Sequence, residues 1–262
     1  LHSWLPSAAV APTPVTALLH AVAVVKAGAF ACIRLTYYVF DNTLLTGTWA
    51  QTAVMALSIF TLLFGSCMAL KQQHLKRRLA YSTVSNLSYI LFAVTLMSPL
   101  GLLAAFLHMI VHSVIKILAF FNAGSVLHYA HREWLSELEG LGRRMPWTFG
   151  CFTAAACALT GIPAFNGFVS KWYLALAAVE NPHPLAIWGF GALLVSALLT
   201  AVYMFQIVIR AWFPRRDLPL PENAHEAGPL MVVPMVLLAA MCGLGGIAPG
   251  CLLDIIGKAV GV

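Results

Sequence analysis

The chain has 262 residues, of which 61% are hydrophobic and only 9% charged; 15 Lys+Arg stand against 9 Asp+Glu, giving a formal net charge of +6, and the mean hydropathy is +0.86. Water-soluble domains carry roughly 25% charged residues, so a soluble globular domain is excluded and the main solvent is lipid. A β-barrel does not fit either, because barrel strands alternate apolar and polar residues in short segments, whereas apolar runs here repeatedly exceed 18 residues.

The chain opens with Leu1-His2-Ser3-Trp4-Leu5-Pro6, without an initiator Met or a basic segment leading into a signal-type apolar region. This predicts an N-terminally truncated piece of a larger protein. Apolar runs bounded by Pro, Gly, polar or charged clusters then predict spans near 12–40, 49–70, 77–97, 101–129, 146–179, 186–212 and 229–248. The expected fold is all-α: a polytopic transmembrane helical bundle of about seven spans, with residues 1–262 forming a single transmembrane domain.

The loops sort by charge. Lys71, Lys76, Arg77, Arg78, Arg132, Arg143, Arg144, Arg210, Arg215 and Arg216 fall on one side of this topology, and Lys258 on the other, with Arg34 approaching it inside its helix. By the positive-inside rule the first side is cytoplasmic and the C-terminus lies outside. The basic residues thus serve topology, and no nucleic-acid partner is expected. The six cysteines lack metal or disulfide spacing and read as packing residues.

The fifth stretch is too long for one straight span and holds Thr160-Gly161-Ile162-Pro163-Ala164-Phe165-Asn166-Gly167 near its centre. Proline removes a backbone donor and clashes with the preceding turn, so a broken helix is predicted near Gly161–Pro163. A Pro kink in a continuous tilted helix is the alternative.

Charges at membrane depth carry the functional signal. Lys26 and Lys116 lie near mid-span, where a lysine costs at least ~2.5–3.5 kcal/mol on insertion scales, and both are too far from their predicted helix ends to snorkel. His108, His112 and Lys116 recur at intervals of four and share one helical stripe. Imidazoles can both donate and accept protons near neutral pH, so the stripe can relay protons; satisfied structural histidines are the competing reading. His20 and Lys26 lie six residues apart and about 120° around a continuous helix, so their coupling needs water or another side chain. Lys171, eight residues beyond Pro163, is open to both a functional and a snorkelling reading. Lys76, at the start of a span, reads locally as a topology charge, and the hydroxyls of Tyr81, Ser82, Ser85 and Ser88 that follow can also bind helices together.

Several ordered segments resemble the antiporter-like subunits shared by respiratory complex I, multisubunit cation/proton antiporters and energy-converting membrane hydrogenases. They are Leu1-His2-Ser3-Trp4-Leu5-Pro6 with Ala11-Pro12-Thr13-Pro14-Val15; Leu75-Lys76-Arg77-Arg78-Leu79-Ala80-Tyr81-Ser82-Thr83; His108, His112 and Lys116; and Gly161-Ile162-Pro163 leading to Gly167-Phe168-Val169-Ser170-Lys171. The resemblance implies the last seven helices of a fourteen-helix subunit. It makes Lys26 the central lysine, Lys116 its onward relay and Lys171 the lysine of the second broken helix, with His20, Lys76, His108 and His112 at accompanying polar positions. The family's upstream glutamate–lysine pair would precede Leu1. No long lateral helix follows the last span; if the end is natural, the complex I subunit carrying that helix is less expected.

The resemblance implies a proton-translocating membrane subunit of a redox-driven NADH-quinone-oxidoreductase-like or hydrogenase complex; the alternative is a sodium/proton antiporter subunit. No glycine-rich dinucleotide turn, phosphate loop or iron–sulfur cysteine cluster occurs, so no cofactor is expected on this chain and any enzyme activity belongs to the complex. Other membrane subunits, a peripheral redox arm and the lipid bilayer are the expected partners, and a prokaryotic inner or plasma membrane the expected location. A haem-binding cytochrome would need two well-placed ligands from different helices and would leave the intramembrane lysines unexplained, while a structural anchor would keep transport intact when Lys26 or Lys116 is replaced by Met.

Overall fold

The computed structural model describes residues 4–8, 12–40, 42–214 and 224–261. The opening Leu1-His2-Ser3, Ala11 and the charges Arg215 and Arg216 lie outside the described residues. Helices follow in the order α1 (Trp4–Ala8), α2 (Thr13–Ala21), α3 (Val24–Arg34), α4 (Asn42–Leu45), α5 (Trp49–Lys71), α6 (Leu75–Thr95), α7 (Pro99–Ala130), α8 (Pro146–Thr160), α9 (Asn166–Val179), α10 (Pro184–Trp212), α11 (Pro229–Ile247) and α12 (Gly250–Val260). No strand occurs among the described residues; His74 and Trp134 form an isolated bridge.

The helices occupy each of the seven apolar stretches. Thr13–Val39, Trp49–Lys71, Pro99–Ala130, Pro184–Trp212 and Pro229–Ile247 are long and apolar enough to cross a membrane. The other two stretches fail for different reasons. α6 carries Lys76, Arg77 and Arg78 in its first turn and a run of hydroxyls, and buries almost its whole surface, so protein rather than lipid surrounds it. α8 and α9 are 15 and 14 residues long, about 22 Å each at most, because the fifth stretch is broken as expected. Gly161 ends α8 with φ +92°, and Asn166 restarts the chain as α9.

A second break falls where the sequence predicts a continuous helix. Within the first stretch α2 ends at Ala21 and α3 starts at Val24, Ala23 having φ −84° and ψ −86°. α3 then widens into a π-helical turn over Leu35–Val39. Residues 250–260 add a helix beyond the expected last span, and it packs on α7.

The bundle is built around α7. Its start is fixed by the Ser98 hydroxyl, which accepts from the Gly101 N–H at 3.0 Å, with Pro99 in the first turn, and its end by the left-handed His131. α2, α6, α8, α9, α11 and α12 all pack against it. Polar side chains gather inside, including Lys26, Lys76, Arg78, His20, His108, His112 and Lys116, while Trp49, Leu57, Phe60, Trp188, Leu198 and Leu230 face outward. This inversion is what a lipid solvent demands, since polar groups in hydrocarbon need protein or water partners. Cysteines do not follow the packing expectation throughout: Cys151 and Cys242 are buried, but Cys32, Cys67 and Cys251 lie on the outside, where a small apolar side chain is compatible with lipid.

Contacts define two ends. At one, the Leu75 N–H donates to the Glu133 carbonyl and the Gly140 N–H to the Arg210 carbonyl, so the basic residues of the α5–α6, α7–α8 and α10 termini share that end. At the other, Gln51 and Asn181 side chains donate to the Thr95 and Leu96 carbonyls.

Candidate functional site

α7 carries His108, His112 and Lys116 down its interior, and neighbouring helices bring the other groups to that stripe. Lys26, the third residue of α3, is placed immediately past the Val22–Ala23 break, and its Nζ is hydrogen-bonded to His112 Nδ1. The break therefore delivers Lys26 to α7. His20, on the other side of the break, takes a different neighbour: its ring stacks on Phe120 at 5.0 Å between centroids, and Lys116 Nζ lies 6.0 Å from the same Phe120 ring.

Lys116 is fully buried. Its ammonium donates to the Leu79 carbonyl at 2.9 Å and to the Ser82 hydroxyl, both on α6. Ser82 and Thr83 hydroxyls also donate to the Leu79 carbonyl, at 2.8 and 3.1 Å. A buried lysine is thus met by oxygen dipoles rather than by a carboxylate, an arrangement that can hold the ammonium without locking it into an ion pair.

His108 lies one turn before His112, with their rings 5.8 Å apart. Its Nδ1 faces the Ser170 hydroxyl of α9 at 3.1 Å, while that hydroxyl also donates to the Gly167 carbonyl at 3.1 Å. With the Ser170 hydroxyl donating to Gly167, the arrangement suits the tautomer in which His108 Nδ1 donates to Ser170 and Nε2 is the acceptor. With Lys26 as an ammonium, His112 takes the opposite tautomer, Nδ1 accepting from Lys26 and Nε2 carrying the ring proton. Both Nε2 atoms are buried without a hydrogen-bond partner among the described residues.

The line continues to Lys171. Tyr89 stacks on His108 at 5.2 Å, and Lys171 Nζ lies 5.5 Å from the Tyr89 ring. The Lys171 ammonium donates to the Leu159 and Thr160 carbonyls at 2.7 and 2.9 Å. These are the last carbonyls of α8, left without helical donors because the helix stops there. The broken helix thus supplies the lysine's acceptors, and snorkelling does not describe this side chain.

Lys76 does not join the line. It is buried at the basic end of the bundle, 4.0 Å from Glu133, whose carboxylate also lies 3.5 Å from His74 Nε2. Burial holds His74 below the ordinary imidazole range, against the opposing pull of Glu133. Arg78, grouped by sequence with the topology charges, is instead fully buried and bonded to α5 and α10.

Ser170, Tyr89 and Phe120 were not singled out by sequence reasoning. Tyr89 lies seven residues after Ser82, two helical turns along the same face, a spacing that could have marked it. A second hydroxyl cluster joins three helices: Ser66 of α5, Ser85 of α6 and Ser196 of α10 lie 2.6–3.2 Å from one another.

A protein-family model described as NADH:quinone oxidoreductase/Mrp antiporter, TM, matches residues 1–200, which include every member of this line. NADH-quinone oxidoreductase subunit N of Desulforudis audaxviator is 36% identical over 269 residues, covering 95% of this chain and 50% of that protein. A probable K(+)/H(+) antiporter subunit of Rhizobium meliloti is 34% identical over 251 residues, covering 95% of this chain and 24% of its own length. The chain therefore spans half or less of these relatives. Among solved structures, the membrane-bound sulfane sulfur reductase, an archaeal respiratory membrane complex, matches with a TM-score of 0.85 and 29% identity over 99% of this chain and 51% of that one. The Mrp complex from Dietzia sp. shares the fold, with a TM-score of 0.88, 22% identity, and coverage of 99% and 55%.

Proposed function

This chain belongs to the NADH:quinone oxidoreductase/Mrp antiporter transmembrane family, and we propose that it is the proton-conducting half of a membrane subunit within a hetero-oligomeric complex. Protons move along the line Lys171, Tyr89/Ser170, His108, His112, Lys26, Lys116 and His20. The observation that carries this reading is the unbroken series of contacts through the two histidines between the lysines: Lys26 to His112, His112 to the His108 ring, and His108 to Ser170, next to Lys171. A proton from Lys26 enters His112 at Nδ1, and the Nε2 proton leaves toward the Nε2 lone pair of His108, directly or through one water. The His108 Nδ1 proton then points at Ser170, beside Lys171. Each transfer flips a tautomer, and the next proton passes once the rings have returned to their starting tautomers by reorientation or by exchange through water.

Charge couples the outer steps. A lysine that loses its proton ceases to repel its neighbours, and in a medium of low polarity such repulsion acts over longer distances than in water. Lys26 lies within electrostatic reach of Lys116, and His112 within reach of all three lysines. Proton movement at one position thereby biases the next.

The redox chemistry is assigned to partners, and this chain acts as a non-redox membrane subunit. Its relatives named as NADH-quinone and NADH-ubiquinone oxidoreductase subunits favour a redox-driven pump, while the K(+)/H(+) antiporter relative supports cation exchange as the second reading. The clustering of basic residues at one end favours a topology of seven crossings with that end cytoplasmic and the C-terminus outside, and a prokaryotic inner or plasma membrane is the location proposed with it.

The test uses inverted membrane vesicles containing the full-length subunit together with its native partners, with internal pH followed by a dye. Acidification on adding an electron donor, lost in Lys116→Met, identifies a redox pump. Collapse of a preformed proton gradient on adding sodium or potassium, only in wild type, identifies an antiporter. Wild-type behaviour of Lys116→Met in both assays refutes the pathway.

A further inference from the structure

α8 is held by an opposite charge at each end. At its start the Glu226 carboxylate accepts from the Trp147 N–H at 2.7 Å, the Thr148 N–H at 3.4 Å and the Thr148 hydroxyl at 2.6 Å. At its finish the Lys171 ammonium donates to the Leu159 and Thr160 carbonyls. The unpaired N–H groups of a helix start favour an anion and the unpaired carbonyls of its end a cation. Both charges come from outside the helix, one from the segment before α11 and one from α9.

The break makes this bracket consequential. A continuous helix would be positioned by its own backbone on both sides, but α8 stops at Gly161, and the Ile162–Phe165 turn intervenes before α9. The axial position of α8 is therefore set by its side packing and its two ends. Glu226 is itself fixed: Ala224 and Ala227 on either side are buried, the Ala227 N–H donates to Glu226 Oε1 at 3.0 Å, and His225 packs edge-on against Tyr129 of α7 at 5.2 Å.

We infer that Glu226 is a positioning residue for the Lys171 end of the line, anchoring the start of α8 so that its terminal carbonyls meet the ammonium. The two groups are separated by the length of α8, about 22 Å, and Glu226 acts through the half-helix rather than by touching Lys171. This inference rests on the reading of Lys171 as a proton site.

The experiment compares proton movement per assembled complex in vesicles of the full-length subunit with its partners. Glu226→Gln keeps the volume but removes the charge, Thr148→Val removes the hydroxyl donor, and Thr148→Ser retains it. Glu226→Gln and Thr148→Val are each expected to lower proton movement about two- to tenfold at unchanged assembly, with Thr148→Ser near wild type. In a Lys171→Arg background, which keeps a cation but not its fit, Glu226→Gln should cause a smaller fold-loss than it does alone. Wild-type rates in Glu226→Gln, or an undiminished fold-loss in the Lys171→Arg background, overturn the inference. Should Glu226→Gln fail to assemble, Thr148→Val carries the same comparison. Full proton movement in Lys171→Met would instead overturn the assignment of Lys171 on which the inference rests.

Discussion

Lys26 of α3 and His112 of α7 are hydrogen-bonded across 86 positions of sequence, and this contact ties the broken first span to the central helix. Either residue alone leaves the other without its partner in a buried site. Lys26→Met and His112→Ala are therefore expected to reduce proton movement at least ~10-fold each, and the double variant should lose little more than the worse single one, as for residues acting in one network. Full multiplication of the two losses, measured in the same vesicles, would show that they act at independent steps.

Lys116, Lys76 and Lys258 differ in setting although all three are lysines. Lys116 is fully buried against Leu79 and Ser82, Lys76 faces Glu133 at the basic end, and Lys258 is exposed on α12. Met at the Lys116 site leaves the Leu79 carbonyl paired, because the Ser82 and Thr83 hydroxyls still donate to it. Lys116→Met should thus assemble normally and lose at least ~10-fold in proton movement, Lys76→Met should lose less, and Lys258→Met should behave as wild type. Equal rates in the Lys116 and Lys258 variants would remove the basis for the site.

The line of lysines was legible in the sequence because charge at membrane depth is costly enough to be rare, and the four-residue spacing of His108, His112 and Lys116 placed them on one face. The break at Gly161 was legible from proline and glycine. The break at Val22–Ala23 was not: Ala21-Val22-Ala23-Val24 contains neither residue, and tertiary packing overrides local propensity there. The burial of Arg78 was not legible because a basic residue at a span start has two uses, topology and helix binding, that local sequence cannot separate. Ser170 and Tyr89 acquire their role only when α9 and α6 pack on α7, which no spacing within one helix encodes.

Two glycines beside the α8–α9 break make separable predictions. Gly161 has φ +92°, and a Cβ there would meet Lys171 Cδ at 3.0 Å, a flexible side chain that can yield. A Cβ on Gly167 would overlap the backbone carbonyl of Ala158, so α8 and α9 would have to separate. Gly161→Ala should cost about 1–2 kcal/mol through its left-handed backbone, and Gly167→Ala more. Thermal unfolding of the detergent-solubilised complex reads both, and a Gly167→Ala variant as stable as wild type would contradict the close approach of the two half-helices.

Arg78 makes the prediction most remote from proton movement. From α6 its Nε donates to the Gln72 carbonyl at 2.9 Å and Nη2 to the Leu70 carbonyl at 3.2 Å, while Nη1 donates to the Tyr203 carbonyl at 2.9 Å and Gln206 Oε1 at 2.8 Å. It therefore binds the end of α5, whose last carbonyls lack helical donors, to the C-terminal third of α10. A lysine offers its donors from a single atom and cannot span both sides. Arg78→Lys should fail to substitute, and Arg78→Met should cost about 3–5 kcal/mol because it strands buried acceptors. Arg77, exposed on the same turn, is the control: Arg77→Lys should leave the amount of assembled complex and its unfolding temperature unchanged. If Arg78→Lys matches that control, the fan of hydrogen bonds contributes nothing to holding α5, α6 and α10 together.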